Sequence, residues 1–207
     1  MRIIQRTCQT VAILLVCSTA HSANLAQDVE SHNTNASISR RLSSPDPVAR
    51  QRAAEELARL AAVDQKKLLE GYYLQEKDRK VRLALEWALY RVGKNDALFR
   101  IVRDLDSSRQ EQAIRYLKQL ESPGLLYPFL KQEDSPARIT VGLLEALGQL
   151  GDSETLELIK PLRDSFVAGV AEAAEVATDK IESRLAQTEP AGPTRPRTAG
   201  VTNPTSP

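Results

Sequence analysis

The 207-residue chain has little of what most catalytic and metal sites are made from: two cysteines (Cys8 and Cys17), two histidines (His21 and His32), one tryptophan and 4% aromatic residues. It also lacks a charge excess, with 28 Lys+Arg against 27 Asp+Glu. A net charge of +1 gives no chain-wide nucleic-acid footprint, which needs a clear basic surplus. Few aromatics together with many Leu and Ala favour helices over a sandwich or barrel. No long apolar run follows the first 23 residues, and the run Val11 to Cys17 is short of the about 20 residues that span a bilayer. GxSxG, Walker and HExxH patterns are missing too, so a reading as a non-enzyme with no cofactor follows.

Met1 to Ala23 has the three-part plan of a secretory signal: Arg2 and Arg6, then the apolar run, then the small residues Ser18, Ala20, Ser22 and Ala23. Of the cleavage points after Ala20, Ser22 and Ala23 the last is favoured; it removes both cysteines and His21, so the mature chain is expected to hold no disulfide, no thiol nucleophile and no Cys/His metal site. The expected localisation is export, to a bacterial periplasm or the exterior. Leu14-Leu15-Val16-Cys17 keeps one alternative open, a lipobox whose Cys17 would be acylated and hold the protein at a membrane. Residues 24–37 read as a polar linker. Residues 187–207, with Pro190, Pro193, Pro196, Pro204 and Pro207, read as a disordered tail, because too little apolar surface is present to offset the ordering entropy.

The domain lies between, at 38–186, and it repeats. Asp46, Asp78, Asp106, Asp134 and Asp164 open successive units about thirty residues apart. Leu57, Leu89 and Leu117 stand eleven residues after the first three, with Leu147 and Val176 as the later equivalents. Arg50, Arg82 and Arg138 stand four after the Asp. Each unit reads as two helices: first helices at 47–62, 79–92, 108–120 and 136–150, second helices at 65–76, 96–105, 124–132 and 154–163. Asp46-Pro47, Ser135-Pro136 and a Ser108/Glu111 capping box are the expected starts, Gly93 and Gly151 the expected left-handed stops. A final helix over 165–185 puts Phe166, Val167, Val170, Ala174, Ala177, Ile181 and Leu185 on one face, as the end of a stacked array requires. Ile38 to Leu42 reads as a remnant helix capping the other end.

The stretches Asp78-Arg79-Lys80-Val81-Arg82 and Glu145-Ala146-Leu147-Gly148-Gln149-Leu150-Gly151-Asp152 carry a family pattern. Through them residues 46–185 resemble HEAT-like repeats, the short kind also found in bilin-lyase-type proteins. The resemblance implies an all-α fold, a right-handed α-solenoid of stacked antiparallel helix pairs. It also leaves open a bilin-lyase-like handling of a ligand. The third unit departs from the pattern with Arg109-Gln110, the fifth with Val167-Ala168.

The expected function is that of an exported interaction scaffold whose partner is another protein, with no nucleic acid and no metal. Second helices of such solenoids generally line the concave surface, and the candidate contact residues are Tyr72, Tyr73, Arg100, Arg103, Lys131 and Lys160 there, joined by Trp87. Tyr, Trp and Arg dominate binding energetics where they are exposed. The carboxylates Glu172, Glu175, Asp179 and Glu182 form a solvated stripe, not a facing acid/base pair.

Overall fold

The computed structural model describes residues 33–132 and 134–188. Every regular element among them is helical. In chain order these are α1 (33–40), α2 (Pro47–Arg59), α3 (Lys66–Gln75), α4 (Arg79–Arg91), α5 (Asp96–Arg103), α6 (Gln110–Leu117), α7 (Tyr127–Leu130), α8 (Ala137–Leu150), α9 (Ser153–Ile159) and α10 (Ala168–Thr188). Single 3-10 turns follow α1, α5 and α9 and precede α3 and α7. Residues 1–23, read as a secretory signal, residues 24–32 of the expected linker and residues 189–207 of the expected tail lie outside the described residues; Gln187 and Thr188, assigned to the tail, belong to α10.

The repeat positions explain the packing. Leu57, Leu89, Leu117 and Leu147 are fully buried, each removing a side chain worth about 1.5–3 kcal/mol from water. The fifth equivalent falls on Ala177, not on Val176, which is exposed. The first helix of each unit lies against the next: α2 on α4, α4 on α6, α6 on α8, α8 on α10. The second helices α3, α5 and α9 pack onto α4, onto α4 and α6, and onto α10. One large core runs from Ile38 to Leu147, and a smaller one joins Leu144 and Ile159 to Val170, Ala174, Ala177 and Ile181.

Several local expectations change. Residues 33–37, assigned to the linker, belong to α1. Ile38 and Leu42 enter the core, while Asn35 Nδ2 donates to Asp64 (2.9 Å) and Ser39 Oγ donates to Gln65 (2.7 Å), so polar side chains one turn apart tie the helix to the entry of α3. Asp46 caps α2 as expected, accepting from the amides of Val48 and Ala49, and Asp78 caps α4 in the same way. Ser135 does not cap α8, and α6 starts without a capping box; Ser107 Oγ accepts from the Arg109 amide instead. Gly93 takes the left-handed conformation, φ 89°, at the end of α4. Gly151 does not, with φ −59°. Its place is fixed by crowding, since a Cβ there would lie 2.6 Å from Ile181 Cδ1 and 2.7 Å from the Leu147 carbonyl oxygen. Phe166 and Val167 precede α10 rather than joining its apolar face, and Phe166 is fully exposed.

Candidate functional site: an arginine-lined cleft around Tyr73

The two neighbouring tyrosines of α3 face different surroundings. Tyr72 is half-buried and lies with Leu42, Arg50 and Glu76 in a shallow depression. Tyr73 lies in a cleft of about 220 Å³ formed where α3, α4, α5 and the turn before α6 meet. Arg79 and Arg82 come from α4 at i, i+3 spacing, Arg100 and Arg103 from α5 at the same spacing, and Arg109 from the turn. The two acids of the cleft are Glu86 and Asp104.

Tyr73 organises this cluster. Its hydroxyl donates to Glu86 Oε1 at 2.9 Å. The guanidinium carbon of Arg82 lies 4.9 Å from its ring centroid and that of Arg100 lies 5.5 Å away, both within cation–π range. Arg100 is fixed by Asp96 at 3.0 Å and by Glu86 at 3.5 Å, and its buried Nε makes no hydrogen bond. Arg109 grips Asp104 with two hydrogen bonds, 3.0 Å from Nε and 2.6 Å from one terminal nitrogen. Burial pushes the Glu86 carboxyl above the usual carboxylate range, against the lowering effects of the Tyr73 hydroxyl and Arg100. Among the described residues, no carboxylate pairs with Arg79, Arg82 or Arg103.

Three of the seven candidate residues, Tyr73, Arg100 and Arg103, thus meet in one place. Trp87 does not join them. It is 3% exposed and stacked on Tyr90 (5.6 Å between centroids) and Tyr116 (5.5 Å), so it is a core residue and no docking anchor. Its position on α4 is the buried one because the helix turns Arg79 and Arg82 outward and carries Leu83, Trp87 and Leu89 inward. Lys131 and Lys160 are exposed and do not line the cleft. Arg79, Arg82, Glu86, Asp104 and Arg109 were not candidates from sequence; the recurrence of an i, i+3 arginine pair on two consecutive helices is a signal that marks Arg79 and Arg82 alone of these. No group of three or more His, Cys, Asp or Glu side chains among the described residues is placed to hold a metal ion. None of the described helices is long and apolar enough to cross a membrane.

No protein-family model matches the chain, and no curated protein sequence matches it. A solved crystal structure described as an engineered protein is similar at 17% identity, covering 72% of this chain and 97% of its own, with a TM-score of 0.29. A likeness that distant carries no argument about fold or function.

Proposed function

We propose that the chain is an exported, non-enzymatic scaffold that binds another protein. Its binding surface is built from HEAT-like helix pairs stacked as a right-handed α-solenoid, and the cleft around Tyr73 is the docking point. The serial packing of α2, α4, α6, α8 and α10 supports the solenoid reading, since helix pairs of this kind bury their apolar faces only against their neighbours. The observation that carries the binding role is a tyrosine held between arginines at an open surface, the residue types that dominate interface energetics. Apolar side chains flank it in sequence: Leu74 is 81% exposed beside Tyr73, and Phe99 is 55% exposed beside Arg100. The three-part N-terminal plan supports export.

In-cell crosslinking of the full-length protein, followed by mass spectrometry of the captured set and of the bait's N-terminus, tests both halves. One dominant envelope or extracellular protein is expected, with recovery falling in Tyr73→Ala, and a bait beginning at Asn24. Equal recovery from Tyr73→Ala would remove the docking point. A bait that keeps Met1 would remove export, and one acylated at Cys17 would replace a free protein by an anchored one.

A further inference from the structure

The arginine four residues after each opening Asp has a structural duty in two of the three units that possess it. Arg50 donates to both carboxylate oxygens of Glu76, at 2.8 and 2.9 Å, and Glu76 stands two residues before Asp78. Arg138 reaches back to the Ser107 carbonyl and the Gln110 side chain and lies 3.9 Å from Asp106. By the same register the acid due to Arg82 is Asp104, two residues before Asp106. Arg109 holds that acid in a bidentate pair, so Arg82 lies over Tyr73 without a carboxylate. The third unit departs from the repeat pattern at Arg109, and the departure releases a charge in the second.

The remaining charges do not restore neutrality. Arg109 is matched by Asp104, and Arg100 is matched by Glu86 and Asp96. Arg79, Arg82 and Arg103 are left, exposed around one cleft. About 220 Å³ is below the about 300–1,000 Å³ of sites that enclose a drug-sized molecule, and suits a few compact anionic groups. The planar guanidinium fork matches a carboxylate in two parallel hydrogen bonds. A nucleic-acid backbone asks for a longer basic track than one cleft, and the lysines at 131 and 160 do not extend it.

We infer that the cleft binds an acidic peptide segment of the partner protein, with two or more Asp or Glu side chains entering among Arg79, Arg82 and Arg103; this rests on the scaffold reading above. Tyr73 supplies the floor that keeps Arg82 and Arg100 in place.

The test is fluorescence anisotropy of labelled hexaglutamate titrated with the full-length chain, with hexalysine, inorganic phosphate and a single-stranded oligonucleotide as the other probes. Hexaglutamate alone of the four is expected to bind well, and to weaken as NaCl rises, because exposed pairs are screened within about 8 Å at physiological salt. The triple variant R79A/R82A/R103A should lose about tenfold or more in affinity, the gain of several charge-assisted contacts, with an unchanged melt. Arg59→Ala, an exposed arginine of α2 outside the cleft, should bind like the parent. Equal binding by the triple variant, or tighter binding of phosphate or the oligonucleotide than of hexaglutamate, would overturn the inference. The crosslinked set separates it from the scaffold reading. A partner captured equally by the triple variant overturns the cleft and leaves the scaffold. Hexaglutamate binding that the triple variant loses, with no protein captured by either, supports the cleft and removes the scaffold.

Discussion

The α2–α6 end and the α8–α10 end are built on the same thirty-residue repeat and are held together by different means. In the first, large and polar groups interlock. Trp87 stacks between Tyr90 and Tyr116, the Tyr116 hydroxyl donates to Glu55 at 2.6 Å, and Gln112 bridges Tyr116 to the Lys80 carbonyl. Arg50 and Glu76 join the start of α2 to the turn between α3 and α4. In the second, small residues let backbones approach. A Cβ on Gly148 would lie 3.2 Å from the Ala177 Cα, and Gly151 admits none beside Ile181 and Thr155. Arg184 of α10 then donates to the carbonyls of Gly148, Gln149 and Gly151, closing the exposed C-terminal end of α8. Stacked rings and side-chain hydrogen bonds hold the first end in one arrangement, and the second adds close glycine packing to its hydrogen bonds. One repeat period therefore permits two kinds of specificity.

The sharpest way to break this comparison is to truncate a ring at the first end and add a methyl group at the second. Trp87→Ala should destabilise by about 3–5 kcal/mol, read by chemical denaturation, since a fully stacked ring leaves a cavity. Gly151→Ala should cost about 1–3 kcal/mol by overpacking, where an alanine on an open helix surface would be neutral or better. Tyr116→Phe should cost about 1–3 kcal/mol, because Glu55 and Gln112 lose the partner between them. Arg184→Ala should cost about 1 kcal/mol, seen as a small fall in Tm.

The smallest effect is a difference of sign with pH. Burial raises the Glu86 carboxyl at the first end, so Glu86 costs stability at neutral pH. Glu86→Gln should be slightly more stable than the parent at pH about 7. The gap should close as acid protonates Glu86 in the fold before it protonates the unfolded chain, whose Glu titrates near about 4.3. At the second end the Asp152 carboxyl is held low, first by the Thr155 backbone amide and then by the Thr155 and Tyr127 hydroxyls. Its contribution is present at neutral pH and is lost as pH falls below about 3.9 through the depressed value, so Asp152→Asn should be the less stable variant at pH about 7 with a gap that closes only in stronger acid. Parallel shifts of both variants would refute the assignment.

Much of the helical order is visible in the residues. The expected helices are present, the one over 124–132 only as a 3-10 turn and the four-residue α7, and the Asp46 cap, the Gly93 stop and Leu57, Leu89 and Leu117 are where the period puts them, with Leu147 two residues late. Such features are local or periodic, and they are legible for that reason. The ends were harder to read. α1 looks polar because two of its three buried residues, Asn35 and Ser39, are held by hydrogen bonds and not by burial of apolar surface. Phe166 matched a helical face by angle, yet α10 begins only at Ala168. Of the cleft, Tyr73, Arg100 and Arg103 could be named from residue type. Trp87 was misplaced because a large aromatic satisfies both an interface and a core. Arg82 reads as structural because it stands at a repeat position; that it lacks a carboxylate depends on Arg109 taking Asp104, a pairing that the repeat pattern does not contain.

Trp87 is the single tryptophan of the chain, and its ring lies in a dry stack at the junction of α4 and α6. All indole fluorescence therefore comes from the interlocked end. Its emission should be that of a shielded indole in the native protein and shift to the red when α4 and α6 separate. Release of α10 from α8 leaves that stack untouched and is silent to the eye of the fluorimeter, while circular dichroism registers the loss of a 21-residue helix. A melt followed by both signals divides the molecule without any label: coincident curves mean the two ends unfold as one cooperative unit, and an earlier dichroism step means the glycine-packed end opens first.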